Sequence, residues 1–493
     1  MKSALISVLI VFGFLLLAIK DTEAQPSAVT GRLTDPAGTP VSDVRVRLTG
    51  DKSAPQETVS SADGRFSFGT VQAGEYQLAA EHAGFRKLQK SILVSDGKAL
   101  EELTIQLQIL DVFASVTTIS DSAEALTSRQ GSSINTLGRS QIDAAGASAL
   151  DDLLRQVPGF SNFRRSSSVV ANPTTQGVSL RGAGASGASR TLVNIDSIPL
   201  NDAFGGWVYW DRVPRESIDT IDVERGGASH LYGSDALSGA INISTRRVKG
   251  PVVSASTSYG NLSTGDVSFF AGDKWGRTDV AVSGEGYRTD GYFIIPSNLQ
   301  GAADAKARSS HRTIGVRIGS QITGQLSFFI KGYLYDQNRN NGTQLQTNDT
   351  GNQGLSAGMT YSSGSVGTLV FNVFGSKELY HQIFTSVAAN RATETLSRQQ
   401  GAPSRDAGFR LNWTKSAGTI QTLFAGVELR GVRGTSDETV WAAGKASSQV
   451  SAGGRQKRFG ISGQDYLNFN RFLALAISVR YDEWRDSSGG SVT

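Results

Sequence analysis

The chain has 493 residues, too many for one ordinary domain, with a net charge of +4 and no cysteine. The lack of thiols excludes disulfides, thiolate metal sites, cysteine nucleophiles and a lipidated N-terminal cysteine, and the dispersed basic residues give no case for nucleic acid. Apolar content is 39 %, glycines number 56, and no long apolar run follows the N-terminus. That argues against membrane helices but leaves room for membrane strands, whose two-residue alternation escapes hydropathy scans.

Residues 1–24 read as a secretory signal. Lys2 is the positive start, Ala4–Ile19 the apolar core, and Thr22-Glu23-Ala24 offers small residues before a cut at Gln25. The histidines, His82, His230, His311 and His381, stand apart, without metal-ligand spacing or a triad-like serine motif. No cofactor is implied, no catalytic residue is proposed, and the chain is not expected to be an enzyme.

Residues 25–108 read as a small β-sandwich. Val44, Val46 and Leu48 alternate with Arg45, Arg47 and Thr49, and Asp63-Gly64 turns into Arg65-Phe66-Ser67-Phe68. Phe66, Phe68, Tyr76 and Phe85 are expected in its core. The G-x-x-x-D-x-x-G-x-P-V start from Gly31 and the later A-G-E-Y-x-L resemble the carboxypeptidase regulatory-like module. That module carries no catalytic groups.

From 119 to 247 the chain changes character. Ser148 is expected to cap a short helix with Leu150, Leu153 and Leu154 on its apolar face, stopped by Val157-Pro158-Gly159. Asn162–Gly177 reads as a polar loop. Three β-type runs follow, Thr191–Ile198, Thr220–Glu224 and Ala240–Thr245, with glycines at the joints. The ordered pieces are SLRG from Ser179, D-x-x-P-L-N-D from Asp196, V-E-R-G from Val223 and L-Y-G-S-D-A-L-S-G-A-I-N-I from Leu231. Together they resemble the plug domain of TonB-dependent outer-membrane receptors.

The resemblance implies roles for particular residues. Arg181 and Arg225, each before a glycine, would lock the plug to carboxylates of a surrounding wall, against the alternative of solvated surface arginines. Asn201, Asp202, Phe204, Trp207, Tyr209 and Trp210 lie in a loop that would face a bulky ligand; alternatively its tryptophans pack plug on wall. Within the linker at 109–118, Asp111, Val112, Phe113, Ala114, Ser115, Val116 and Thr117 would form the box that pairs with TonB by strand addition, unless they are a last sandwich strand or a plain linker.

Residues 248–493 alternate in the manner of membrane strands: Ile314, Val316 and Ile318 against Thr313, Gly315 and Arg317; Leu423, Ala425, Val427 and Leu429 against Phe424, Gly426, Glu428 and Arg430; Leu473 to Tyr481 likewise. Tyr333, Tyr335, Tyr361, Trp413 and Tyr481 are expected in interfacial girdles. At ~9–11 residues per strand, this length holds about 10–12 strands, fewer than the roughly 22 of the family's barrel. With no terminal aromatic residue, the chain is expected to be C-terminally truncated.

The fold class expected is therefore mainly β: an N-terminal sandwich, a small α+β plug and a partial antiparallel transmembrane barrel. The function the resemblance implies is energy-coupled uptake of an iron–siderophore, cobalamin or carbohydrate. Its partners would be TonB with its inner-membrane energising complex, outer-membrane lipid and a small-molecule ligand, but not nucleic acid. The location would be the outer membrane of a Gram-negative-type bacterium, with the sandwich periplasmic. A passive channel or a soluble β-sandwich binding protein is the competing reading.

Overall fold

The computed structural model describes residues 27–492 apart from 36–37, 51–52, 83–87, 96–101, 108–132, 148, 165, 184–186, 419 and 471–472. The signal segment, Phe85, the 111–117 box and Ser148 lie outside the described residues. The chain divides into two compact units, Met1–Val112 and Phe113–Thr493.

The first unit is a β-sandwich. Its strands are β1 (Ser27–Thr34), β2 (Arg45–Gly50), β3 (Ser53–Val59), β4 (Arg65–Val71), β5 (Gly74–Glu81), β6 (Leu88–Val94) and β7 (Leu103–Gln106). They form one sheet in the order β4-β1-β7 and another in the order β3-β2-β5-β6. Alternation puts Val46 and Leu48 inside with Phe66, Phe68, Tyr76 and Leu78. Gly31 is required by packing: a Cβ there would lie 2.5 Å from the Phe66 ring and 2.7 Å from the Leu103 carbonyl.

The second unit begins with an α+β module. It contains β8 (Ser133–Gly138), α1 (Arg139–Ala144), α2 (Leu150–Leu154), β9 (Phe160–Asn162), β10 (Val178–Leu180), β11 (Leu192–Ile195), β12 (Ile198–Pro199), β13 (Ile218–Arg225), α3 (Ser229–Tyr232) and β14 (Gly239–Thr245). The central sheet runs β12-β11-β14-β13-β8, with β11 and β14 parallel and the other pairs antiparallel. Ile142, Leu154, Leu180, Val193, Leu200, Trp210, Ile221 and Ile243 pack as its core. Helix α2 is entered through Ala149, which gives no side-chain cap. Instead Asp151 in the first turn is fully buried, where Ser168 Oγ donates to it at 2.7 Å and Arg164 pairs with it. The tie anchors the 162–177 loop onto the helix.

The remaining strands form one antiparallel sheet in chain order: β15 (Val252–Gly260), β16 (Thr264–Trp275), β17 (Thr278–Tyr292), β18 (Ala307–Gln321), β19 (Leu326–Asn340), β20 (Thr347–Ser363), β21 (Gly367–Val387), β22 (Glu394–Ala417), β23 (Gln421–Ala442), β24 (Lys445–Asn470) and β25 (Leu473–Val492). Eleven strands match the expected number, but they reach 26 residues, not 9–11, because pairing continues past the apolar band. One face exposes aliphatics, such as Ile314, Val316, Ile318, Leu355 and Leu429. The other buries polar residues, such as Thr313, Asn352 and Glu428. The α+β module sits on that polar face. One rim has short connections (276–277, 322–325, 364–366); the opposite rim has longer ones (293–306, 341–346, 388–393). No described helix is long and apolar enough to cross a membrane, which says nothing of strands.

Candidate functional site

The loop from Asn201 to Arg212 is folded by its own polar residues. Asn201 Oδ1 accepts from Val193 N at 2.7 Å and its amide donates to Thr191 O at 3.1 Å, tying the loop to β11. Asp202 Oδ1 accepts from Phe204 N at 3.0 Å and from Gly205 N, an Asx turn. Gly206 follows at φ +76°, and Trp207 lies flat across Gly205, where no Cβ would fit. So Asn201 and Asp202 shape the loop from within.

The aromatic residues divide. Trp210 is 1 % exposed, part of the module's core, with its ring edge-on to Phe160 at 6.3 Å. Tyr209 is buried against the wall: its hydroxyl donates to Glu378 Oε1 at 3.1 Å, and Asn352 Nδ2 donates to Glu378 Oε2 at 2.7 Å. Burial, then the charge of Glu378, pushes the Tyr209 phenol well above its ordinary value. Tyr335, Tyr209, Trp207 and Tyr380 make a run of ring contacts at 5.7, 6.4 and 5.7 Å from wall to loop and back to wall. Phe204 alone of the loop's aromatics is exposed, at 43 %, and its ring rests where a Cβ on Gly434 of β23 would be. Thus the structure brings Phe204 and Trp207 to the loop surface and puts Tyr209 and Trp210 behind them.

Tyr333 and Tyr335 do not join a lipid-facing girdle. Alternation along β19 turns both to the polar face, opposite Ile330 and Leu334. Tyr333 donates to Asn352 Oδ1 at 2.7 Å and carries Arg212 over its ring at 5.1 Å.

The module is seated mainly by acids of its own against bases of the wall. Asp196 accepts from Lys331 at 2.6 Å. Asp211 meets Arg339 at 2.9 Å and Gln337 at 2.8 Å. Asp235 meets Arg458 at 2.6 Å and Arg430 at 3.7 Å. Arg458 is itself held by Glu428, which also binds Arg410 at 3.0 Å. Burial alone would raise Asp196, but the Lys331 ammonium and hydrogen bonds from Thr245 win and hold its carboxyl below the usual range.

Arg181 and Arg225 sit elsewhere. Arg181 is exposed at φ +51°, with its amide donating to Gly159 O at 2.9 Å. Arg225 donates to Pro158 O at 3.0 Å and to Ser133 Oγ, both within the module. Neither is ion-paired with a wall acid among the described residues. Sequence reasoning passed over the acidic seat, although the signal was present: Asp196 and Asp235 stand inside the quoted motifs, and alternation along β19 places Lys331 and Arg339 on one face.

Between module and wall lies a cavity of about 70 Å³, lined by residues including Pro199, Arg212, Lys331, Tyr333 and Asp406. That suits a few waters, not a bulky solute.

Comparison with known proteins agrees with this architecture. Residues 127–240 match the TonB-dependent Receptor Plug Domain, and residues 28–108 match the Carboxypeptidase regulatory-like domain. The siderophore receptor PirA from Acinetobacter baumannii is similar at 16 % identity and a TM-score of 0.56, over 73 % of this chain and 57 % of that one. A variant of the ferric enterobactin receptor PfeA from Pseudomonas aeruginosa, in complex with enterobactin, gives 17 %, 0.54, 72 % and 59 %. The copper transporter OprC gives 14 %, 0.57, 73 % and 57 %. The chain therefore spans less than two thirds of the length of these solved receptors. Residues 127–240 thus form a TonB-dependent receptor plug domain, which is the α+β module, preceded by a carboxypeptidase regulatory-like domain, and the fold is that of these receptors.

Proposed function

We propose that the chain serves energy-coupled import of a bulky solute across an outer membrane, with the plug as the movable gate. The observation that carries this is the seat. The plug sits on the polar face of the wall over a cavity of about 70 Å³, and it is held there by ion pairs and hydrogen bonds that water can replace. Solute would bind at the rim of long connections, touching Phe204 and Trp207. Its differential affinity for plug states would bias the 111–117 box toward TonB, whose pull, driven from the inner membrane, shifts the plug. A ferric siderophore is the solute class we put first, with cobalamin and carbohydrate as the competing classes. The sandwich would stand in the periplasm. Arg181 and Arg225 are kept as lock residues toward any further wall.

The test is uptake of labelled ferric siderophore, cobalamin and oligosaccharide into cells carrying the full chain. Uptake of one class should stop on adding a protonophore and on deleting Asp111–Thr117. Flux that ignores both treatments would make the protein a passive channel and overturn the reading.

A further inference from the structure

The outward face of the wall carries a basic row that the uptake reading leaves unused. Lys377 pairs in register with Arg405, Arg405 with Arg433, and Arg433 with Arg455. Four cationic side chains thus stand side by side on β21 to β24, at the ~4.8 Å spacing of neighbouring strands. All four are exposed, and none has an acidic partner among the described residues. Like charges directly opposite one another destabilise a sheet, so the row calls for a bound anion. Lys457 adds a cation one step below Arg455 on the same face. The next acid up that face of β23, Asp437, is engaged by Thr435 and Ser451.

Height identifies the anion. On β23 the outward residues below Arg433 are Leu423, Ala425, Val427, Leu429 and Gly431. From Leu423 to Arg433 is ~33 Å of strand, or ~25 Å of height at a tilt of ~40°, the height of the apolar band of a membrane barrel. The row therefore lies at the upper edge of the band, on the side of the long connections. Beneath it the outward face is hollowed: Gly332, Gly375, Ala407 and Gly431 leave a depression of about 1040 Å³, walled by Leu334 and Leu355. Cations above an apolar hollow fit a lipid with phosphate on its headgroup and acyl chains below.

We infer that the row Lys377–Arg405–Arg433–Arg455 binds the phosphorylated headgroup of an outer-leaflet lipid, whose chains lie in the hollow beneath. This rests on the reading of the sheet as a membrane wall. Arginine suits the task, since its planar fork grips phosphate oxygens through two hydrogen bonds.

The full chain, placed in phosphatidylcholine discs doped with phosphatidic acid, tests this by mass spectrometry of the lipid that stays with it. The protein should enrich phosphatidic acid over phosphatidylcholine, and R405Q/R433Q should lower the enrichment about tenfold at low salt. K377Q/R455Q should act alike. R65Q, whose arginine lies in the sandwich and pairs with Glu102 at 3.1 Å, should leave it unchanged. Unaltered enrichment in both double variants, with native β-structure by circular dichroism, overturns the proposal. So does concentration-dependent pairing of the protein that R405Q/R433Q abolishes without touching lipid enrichment, which would assign the row to a second copy. Failure to enter discs of either composition removes the membrane-wall reading itself.

Discussion

Lys331 of the wall and Asp196 of the plug meet at 2.6 Å, with the aspartate 6 % exposed. Asp196 is also the first of two central residues of the β11–β12 hairpin, where it and Ser197 take φ of +49° and +67°. One residue thus turns the chain and fixes the plug. Breaking a fully buried pair costs about 3–5 kcal/mol; Lys331 keeps some water, so about 1–3 is expected here. A double-mutant cycle with Asp196→Asn and Lys331→Met, read by denaturant-induced exposure of the plug to protease, should show coupling of that order. Additive effects would remove the latch.

Asp196 also fixes a pH window. Its carboxyl is held below the usual range, so the folded state binds that proton less readily than the unfolded chain does. The stabilisation is complete above the ordinary carboxylate value, near ~4, and is lost as pH falls through the lower folded value. Plug seating should therefore be insensitive to Asp196 between neutrality and mild acid, and weaken only in strong acid. An Asp196→Asn protein should lack that part of the acid limb; an unchanged acid limb would contradict the assignment.

Tyr209 and Glu378 make a second contact between plug and wall. Tyr209→Phe removes the donor to Glu378 Oε1 while Asn352 continues to serve the other oxygen. A buried acceptor left without its donor costs about 1–3 kcal/mol. Thermal release of the plug should shift down accordingly. A shift within error would mean that water replaces the phenol at no cost.

Phe204 offers a way to separate ligand contact from plug seating. Gly434→Ala would put a methyl group 2.4 Å from Cδ2 of that ring, so the ring must move. Solute affinity is expected to fall about fivefold, equivalent to ~1 kcal/mol, with no change in plug stability. Phe204→Ala should give a comparable loss. Titration calorimetry with the transported solute decides, and equal affinities in all three proteins would take Phe204 out of the binding surface.

Much of this was legible in the residues. Alternation in 248–493 announced the wall, and the ordered motifs around Asp196, Arg225 and Gly239 announced the plug. Alternation alone could not say which face Tyr333 and Tyr335 take, because aromatics suit lipid interface and plug contact alike; Arg212 and Tyr209 decide it by what they bring opposite. Nor could it separate the aromatics of one loop. Trp210 goes to the core and Phe204 to the surface because Asp202, Gly205 and Gly206 bend the chain between them, a local geometry that spacing does not encode. The acidic seat escaped because a pairing between residues over a hundred positions apart has no periodicity to betray it.

Lys331 and Arg339 stand on the same strand, eight residues apart, or ~26 Å. One grips Asp196 and the other Asp211. A tug along the strand loads both grips together, in shear, so a rigid plug holds until both give way. A pull that peels the plug from one rim would meet them one at a time, at far lower force.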